Sequence, residues 1–140
     1  MRRAVATPLA LIAALLVAGA ATAAPETLRI GQTVEGELTA DDAPRDDGGV
    51  SRDYRIEAKA GQFLIVSMTS DDFDGHLTVF NPDRSKAVEN DDRADGNLNP
   101  LAVVETAQDG VYTIRAGSLG SGDESTGRFT LKVRAFSDTE

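Results

Sequence analysis

The chain lacks cysteine and tryptophan, and it contains one histidine, His76, among its 140 residues. Without cysteine there is no disulfide, no zinc–thiolate site and no cysteine nucleophile. A single histidine also excludes a metal site built from several imidazoles. The absence of tryptophan and the presence of only two tyrosines leave few platforms on which a sugar ring could stack. The folded domain must therefore rely on its apolar core for stability.

Basic residues are also scarce, because 14 Lys and Arg stand against 23 Asp and Glu, for a formal net charge of −9. Binding to nucleic acid depends on clustered Lys and Arg that neutralise phosphates. We therefore expect no nucleic-acid partner. An acidic surface of this kind keeps an exported protein soluble and attracts cations.

The N-terminus has the pattern of a secretory signal peptide. Arg2 and Arg3 precede an apolar run over residues 8–20, and Ala21-Thr22-Ala23 fits a cleavage site. No charged stop-transfer flank follows the run, so we expect no membrane attachment after cleavage, which falls after Ala23 or Ala24. The sequence predicts a signal-peptide helix within residues 1–23, one domain over 24–140, and export to the periplasm or the medium.

Beyond the signal, apolar and polar residues alternate with a period of two in short runs separated by Gly, Pro, Asn and Asp. This pattern is typical of half-buried strands. It predicts an all-β fold, an antiparallel, jelly-roll-like sandwich of eight or nine strands without a helix. We expect residues 51–58 and 63–69 to form a hairpin, and the strands with Leu77 and Val88 to form another. The expected core includes the aromatic residues Tyr54, Phe63, Phe73, Phe80, Tyr112 and Phe129.

A series of short motifs resembles the bacterial pre-peptidase C-terminal (PPC) domain family and spans nearly all of the segment after the signal. The motifs are Gly36-Glu37-Leu38, Asp53-Tyr54, Ala60-Gly61-Gln62, Asp74-Gly75-His76-Leu77, Asn90-Asp91-Asp92, the run from Gly110 to Ile114 and the run from Gly127 to Val133. The resemblance implies a non-catalytic sandwich of the kind that accompanies secreted peptidases. It also implies a bound calcium ion, as in some relatives, and a protein ligand, as in the bacterial collagenases whose similar domains bind collagen.

Two acidic clusters are candidate calcium ligands, because this hard cation takes six to eight oxygen ligands. The first contains Asp72 and Asp74, and the second is Asn90-Asp91-Asp92. A hairpin between the intervening strands would bring Asp74 close to Asp91. Asp and Asn also close turns by bonding to their own backbone, and this second interpretation stays open.

No catalytic residues are predicted. A serine triad needs His76 as its base, but the sequence has no G-x-S-x-G elbow, and His76 is expected to point outwards from a strand. We therefore expect an exported, non-catalytic binding or accessory module with a protein or peptide partner and a structural calcium ion. The alternative is a small exported hydrolase or a peptidase inhibitor with an unrecognised site.

Overall fold

The computed structural model describes residues 24–137, which form ten β-strands and one 3₁₀ turn at Gly122–Ser125. The predicted signal peptide and the last three residues lie outside this range. Eight strands have five or more residues, in agreement with the predicted eight or nine, and alternation around Leu28 also predicts the short β1, whereas the two-residue β3 was not predicted. The strands are β1 Glu26–Leu28, β2 Thr33–Leu38, β3 Ala43–Pro44, β4 Val50–Ala58, β5 Gln62–Thr69, β6 Gly75–Phe80, β7 Lys86–Asn90, β8 Leu101–Glu105, β9 Gly110–Ser118 and β10 Gly127–Ser137.

The strands form two sheets that pack face to face as a sandwich. Sheet A has the order β1-β4-β9-β6-β7, with β3 added to β4, and sheet B has the order β2-β10-β5-β8. All pairs are antiparallel except β1 with β4, which is parallel. The predicted all-β antiparallel sandwich is thus confirmed. No helix in residues 24–137 is long and apolar enough to cross a membrane.

The core lies between the sheets and follows from the period of two along each strand. On β10, Phe129, Leu131 and Val133 are buried and alternate with exposed Arg128, Lys132 and Arg134. Phe129 occupies the centre of an aromatic cluster, with edge-on contacts to Tyr54 at 6.5 Å and Phe73 at 6.4 Å between ring centroids. Gly36 on β2 makes room for this ring, because a Cβ there would lie 2.4 Å from Phe129 Cζ.

The predicted hairpin of residues 51–58 with 63–69 is wrong. β4 belongs to sheet A and β5 to sheet B, so the chain crosses between the sheets at the turn 59–61. The backbone of Thr106 fixes this crossing by accepting from Gly61 N and donating to Gln62 O, both at 2.8 Å. Ile56 and Leu64 therefore both face the core, from opposite sheets.

Two other expectations have different outcomes. The hairpin of β6 with β7 is confirmed, with Val79 opposite Val88 and Leu77 opposite Asn90. Phe63 and Phe80 were expected in the core, but both are only half-buried. Their positions alternate with the buried residues of β5 and β6, which places the two rings on the outer faces of the sheets.

Candidate functional site

The outer face of sheet A carries rows of polar residues that the strand register aligns. Asp53 on β4 lies opposite Arg115 on β9, which lies opposite Thr78 on β6, which lies opposite Glu89 on β7. Directly opposed side chains on one face of a sheet are close enough to interact. This register brings together residues that are up to 62 positions apart in the sequence.

Arg45 extends across the next row of this face. The residue follows β3, and its guanidinium binds Asp47 through two hydrogen bonds of 2.9 and 2.7 Å. Its third nitrogen, Nη1, lies 3.1 Å from Nδ1 of His76 on β6. Gly117 on β9 makes this path available, because a Cβ there would lie 2.8 Å from Nη1 of Arg45. The segment 41–47, which pairs with β4 through β3 and binds Arg52 through Asp42, thus also contacts β6 at the centre of the sheet through Arg45.

The contacts of His76 define its protonation state. Arg45 can only donate, so Nδ1 of His76 accepts and the ring proton resides on Nε2. Nε2 faces Oε2 of Glu89 at 3.9 Å. Burial and the positive charge of Arg45 lower the pKa of His76, although Glu89, Asp47 and Asp91 oppose this shift. The expectation that His76 is an outward strand residue is confirmed.

Ion pairs also hold Arg115 on this face and Arg52 at its border, where Arg52 lies on the inward side of β4 opposite buried Ala116. Arg115 binds both carboxylate oxygens of Asp53, at 2.8 and 3.0 Å, and its guanidinium lies over the Phe80 ring at 4.8 Å from the centroid. Arg52 binds both oxygens of Asp42 at 2.8 Å and also donates to the carbonyl of Glu37. The carboxylate partners raise the pKa of both arginines. In the same way, the hydrogen bonds from Arg45 lower the pKa of Asp47 to about 2.

These residues line a groove between the segment 41–47 and the outer face of sheet A. The groove has a volume of about 1240 Å³, and its lining includes Glu26, the segment 41–47, Arg52, Asp53, His76, Thr78, Phe80, Lys86, Glu89 and Arg115. Because its arginines are fixed by carboxylates, the groove presents a preorganised pattern of donors and acceptors.

One end of the same sheet carries part of the predicted calcium site. Burial raises the pKa of Asp74, and the negative charges of Asp92 and Asp91 raise it further. Oδ1 of Asp74 is buried without a hydrogen-bond partner. The register of β6 and β7, with Leu77 opposite Asn90, places Asp74 and Asp91 at the same end of this hairpin.

The other two candidate ligands are engaged elsewhere. Asp72 accepts at 2.7 Å from the backbone N of Arg128, at the start of β10. Asn90 uses both ends of its amide, accepting from Leu101 N at 3.0 Å and donating to the carbonyl of Asp92 at 2.9 Å. Within residues 24–137, no group of three or more His, Cys, Asp or Glu side chains is arranged to hold a metal ion.

Sequence reasoning missed most of the groove. It singled out His76 but not Arg45, Glu89 or Arg115, and it assigned Asp53 only to a family motif. One of these residues could have been found from the sequence, because the alternation along β9 predicts that Arg115 lies on the outer face of the sheet. The partners across the sheet depend on a register that alternation within one strand does not define.

The family model for the bacterial pre-peptidase C-terminal domain matches residues 50–118, from β4 to the end of β9. This match covers the strands that form the floor of the groove. Over this segment the chain is similar to the PPC domain family. The expected resemblance is therefore confirmed, and no curated protein sequence matches the chain.

Several solved structures share the fold of this chain. The pre-peptidase C-terminal domain of collagenase from Bacillus anthracis has a TM-score of 0.56 and 16% identity, over 79% of this chain and 95% of that one. PliG from Aeromonas hydrophila, a periplasmic inhibitor of g-type lysozyme, has a TM-score of 0.51 and 18% identity, over 81% of this chain and 100% of that one. PliG from Salmonella Typhimurium has a TM-score of 0.51 and 13% identity, with the same coverage.

Proposed function

We propose that this domain is an exported, non-catalytic accessory module that binds a protein partner through the groove on sheet A. The observation that carries the proposal is the preorganisation of the groove. Each of the three arginines Arg45, Arg52 and Arg115 donates two hydrogen bonds to the two oxygens of one carboxylate. Side chains that are already ordered lose little conformational entropy when a partner binds.

The contacts of His76 support a binding role over catalysis. A general base needs a free ring nitrogen within hydrogen-bond reach of the group that it deprotonates. Nδ1 of His76 already accepts from Arg45, and Nε2 carries the proton and faces Glu89. The alternative function, a small hydrolase, predicts turnover that His76→Ala abolishes.

Export and a protein partner are supported by the sequence and by the related folds. Residues 1–23 have the pattern of a signal peptide. The same sandwich occurs in a collagenase and in periplasmic inhibitors of g-type lysozyme. We therefore propose a location in the periplasm or the medium, and an enzyme or another exported protein as the partner.

Site-specific photo-crosslinking tests the groove. The full chain is expressed in its exported form with a photoreactive amino acid in place of Lys86, which lines the groove. The control carries it in place of Lys59, an exposed residue of the turn between the sheets. We expect a defined adduct from position 86, and we expect Arg115→Glu to weaken binding of the purified partner. Equal adducts at both positions, or none at position 86, would contradict the proposal.

We also propose a structural calcium ion at the end of sheet A. The unpartnered Oδ1 of Asp74, beside the charges of Asp91 and Asp92, supports it. A divalent cation would remove the repulsion that raises the pKa of Asp74, and backbone carbonyls or water would complete its oxygen shell. Asp72 and Asn90 would contribute less, because their side chains already bind the backbone.

Calorimetry with calcium on the exported protein tests this site. We expect heat of binding and a calcium-dependent rise in Tm for the wild type, and the loss of both in Asp74→Asn and Asp91→Ala. Asp95→Asn, in the same loop but outside the cluster, is the matched control. The absence of both heat and a Tm rise in the wild type would rule out the ion.

A further inference from the structure

The outer face of sheet B carries a patch that the groove does not explain. We call it the Phe136 patch, and it consists of Phe63, Ile65, Leu101, Val103, Lys132, Arg134 and Phe136. The strand register aligns these residues in rows across β10, β5 and β8. Arg134 lies opposite Ile65, which lies opposite Val103. Phe136 lies opposite Phe63 in the next row.

The apolar members of the patch are unusually exposed for the outward face of a sheet, where polar residues are the rule. Phe136 is 55% exposed and Val103 is 48% exposed. Phe63, Ile65 and Leu101 are half-buried beside them. A contiguous exposed apolar surface with polar residues at its border is typical of an interaction site.

The cations of the patch have no carboxylate partner. Within residues 24–137, neither Lys132 nor Arg134 lies within 4.0 Å of a carboxylate oxygen. Arg93 extends towards the same face, and its guanidinium binds Ser67 Oγ and the carbonyls of Asn99 and Pro100, which are neutral acceptors. These three positive charges therefore form no ion pair within residues 24–137, and the acids of the same face lie in neighbouring rows, with Glu35 opposite Thr130 and Glu105 opposite Phe63.

We propose that the Phe136 patch docks an extended acidic segment of a partner protein, in which Asp or Glu and apolar side chains share the face turned towards the sheet, at every second position. The carboxylates would pair with Lys132, Arg134 and Arg93, while the apolar side chains would cover Phe136 and Val103. An extended segment suits a sheet face because its side chains repeat with the same period of two. Charge complementarity of this kind sets the choice of partner. A second copy of the chain is a poor occupant, because two copies of charge −9 repel each other.

Peptide display on the purified exported protein tests this proposal. A random library of twelve-residue peptides is selected on the wild type after depletion on the double variant Lys132→Glu/Arg134→Glu. We expect the enriched peptides to combine Asp or Glu with apolar residues. The affinity of one such peptide should fall at least about tenfold in the double variant and should decrease with added salt.

Matched variants distinguish this surface from general electrostatics. Arg55→Glu/Lys59→Glu makes the same change in net charge outside the patch and should leave the affinity within about twofold. Val103→Ser/Phe136→Ser keeps the charges and should weaken binding. No enrichment, enrichment of basic peptides or equal loss in both charge variants would overturn the proposal. A concentration-dependent dimer that Lys132→Glu/Arg134→Glu dissociates would also overturn it, in favour of a second copy.

Discussion

Basic residues lie on the outer faces of both sheets, but the groove and the Phe136 patch hold them differently. In the groove, Arg45 and Arg115 each bind a carboxylate, and Arg45 also contacts His76, whereas Arg55, outside the groove, forms no ion pair within residues 24–137. On sheet B, Lys132 and Arg134 have no such partner within residues 24–137. A paired cation is held in one conformation together with its carboxylate, whereas an unpaired cation can pair directly with a carboxylate of another molecule. The two faces of one sandwich can therefore serve separate purposes.

The largest expected effect comes from Gly49→Ala, which would detach the segment 41–47 from sheet A. A Cβ at position 49 would lie 1.9 Å from the carbonyl oxygen of Ser118 on β9. We expect the free energy of unfolding, measured by urea denaturation, to fall by about 3 kcal/mol, the upper part of the usual cost of overpacking. Gly31→Ala is the control, because a Cβ there meets no atom within 4 Å and only the φ of +88° opposes it. Its cost should be about 1 kcal/mol, and equal costs for both variants would contradict the close approach.

A smaller effect is expected when one arginine is removed from each face. Arg115→Met loses a half-exposed ion pair with Asp53 and the contact with Phe80, which should lower the free energy of unfolding by about 1 kcal/mol. Arg134→Met, on the same measurement, should change it by less than about 0.5 kcal/mol because no partner is lost. If Arg134→Met costs as much as Arg115→Met, the proposed difference between the faces fails.

The smallest expected effect is the titration of His76. Its pKa is lowered, so the neutral ring is favoured in the folded state, and stability is lost as the pH falls from about 6.5 through the folded pKa. Because His76 is the only histidine, one-dimensional NMR of its ring protons gives the pKa directly. We expect a value below 6.5 that rises in Arg45→Met, which removes the nearby positive charge. An unchanged pKa in that variant would contradict the Arg45 contact.

Alternation along single strands was enough to predict the sandwich and much of its core. The face of β10 with Phe129, Leu131 and Val133 and the burial of Tyr54 and Tyr112 follow from one-strand patterns. Pairing between strands was harder, because the turn 59–61 has the composition of a hairpin turn yet joins two sheets. The contacts of Thr106 that direct this crossing come from a distant segment, about 45 residues along the chain, and such long-range contacts override local turn chemistry.

The groove and the acidic cluster were less predictable than the sandwich, because most of their contacts join residues that are far apart in the sequence. Asp74 and Asp91 were expected to meet through a hairpin between adjacent strands, and the register of β6 and β7 places both at the same end of it. The pair of Arg45 with His76 depends on a glycine at position 117, two strands away from the arginine, and on the register of three strands. No pattern within a single strand contains that information.

The last strand of the chain also affects when the domain can fold. β10 lies between β2 and β5 and spans Gly127–Ser137, so β2 cannot join sheet B until residues 127–137 are available. In a chain that crosses a membrane with its N-terminus first, β2 would therefore stay without its neighbour until β10 has crossed. Closure of sheet B would then follow the passage of β10.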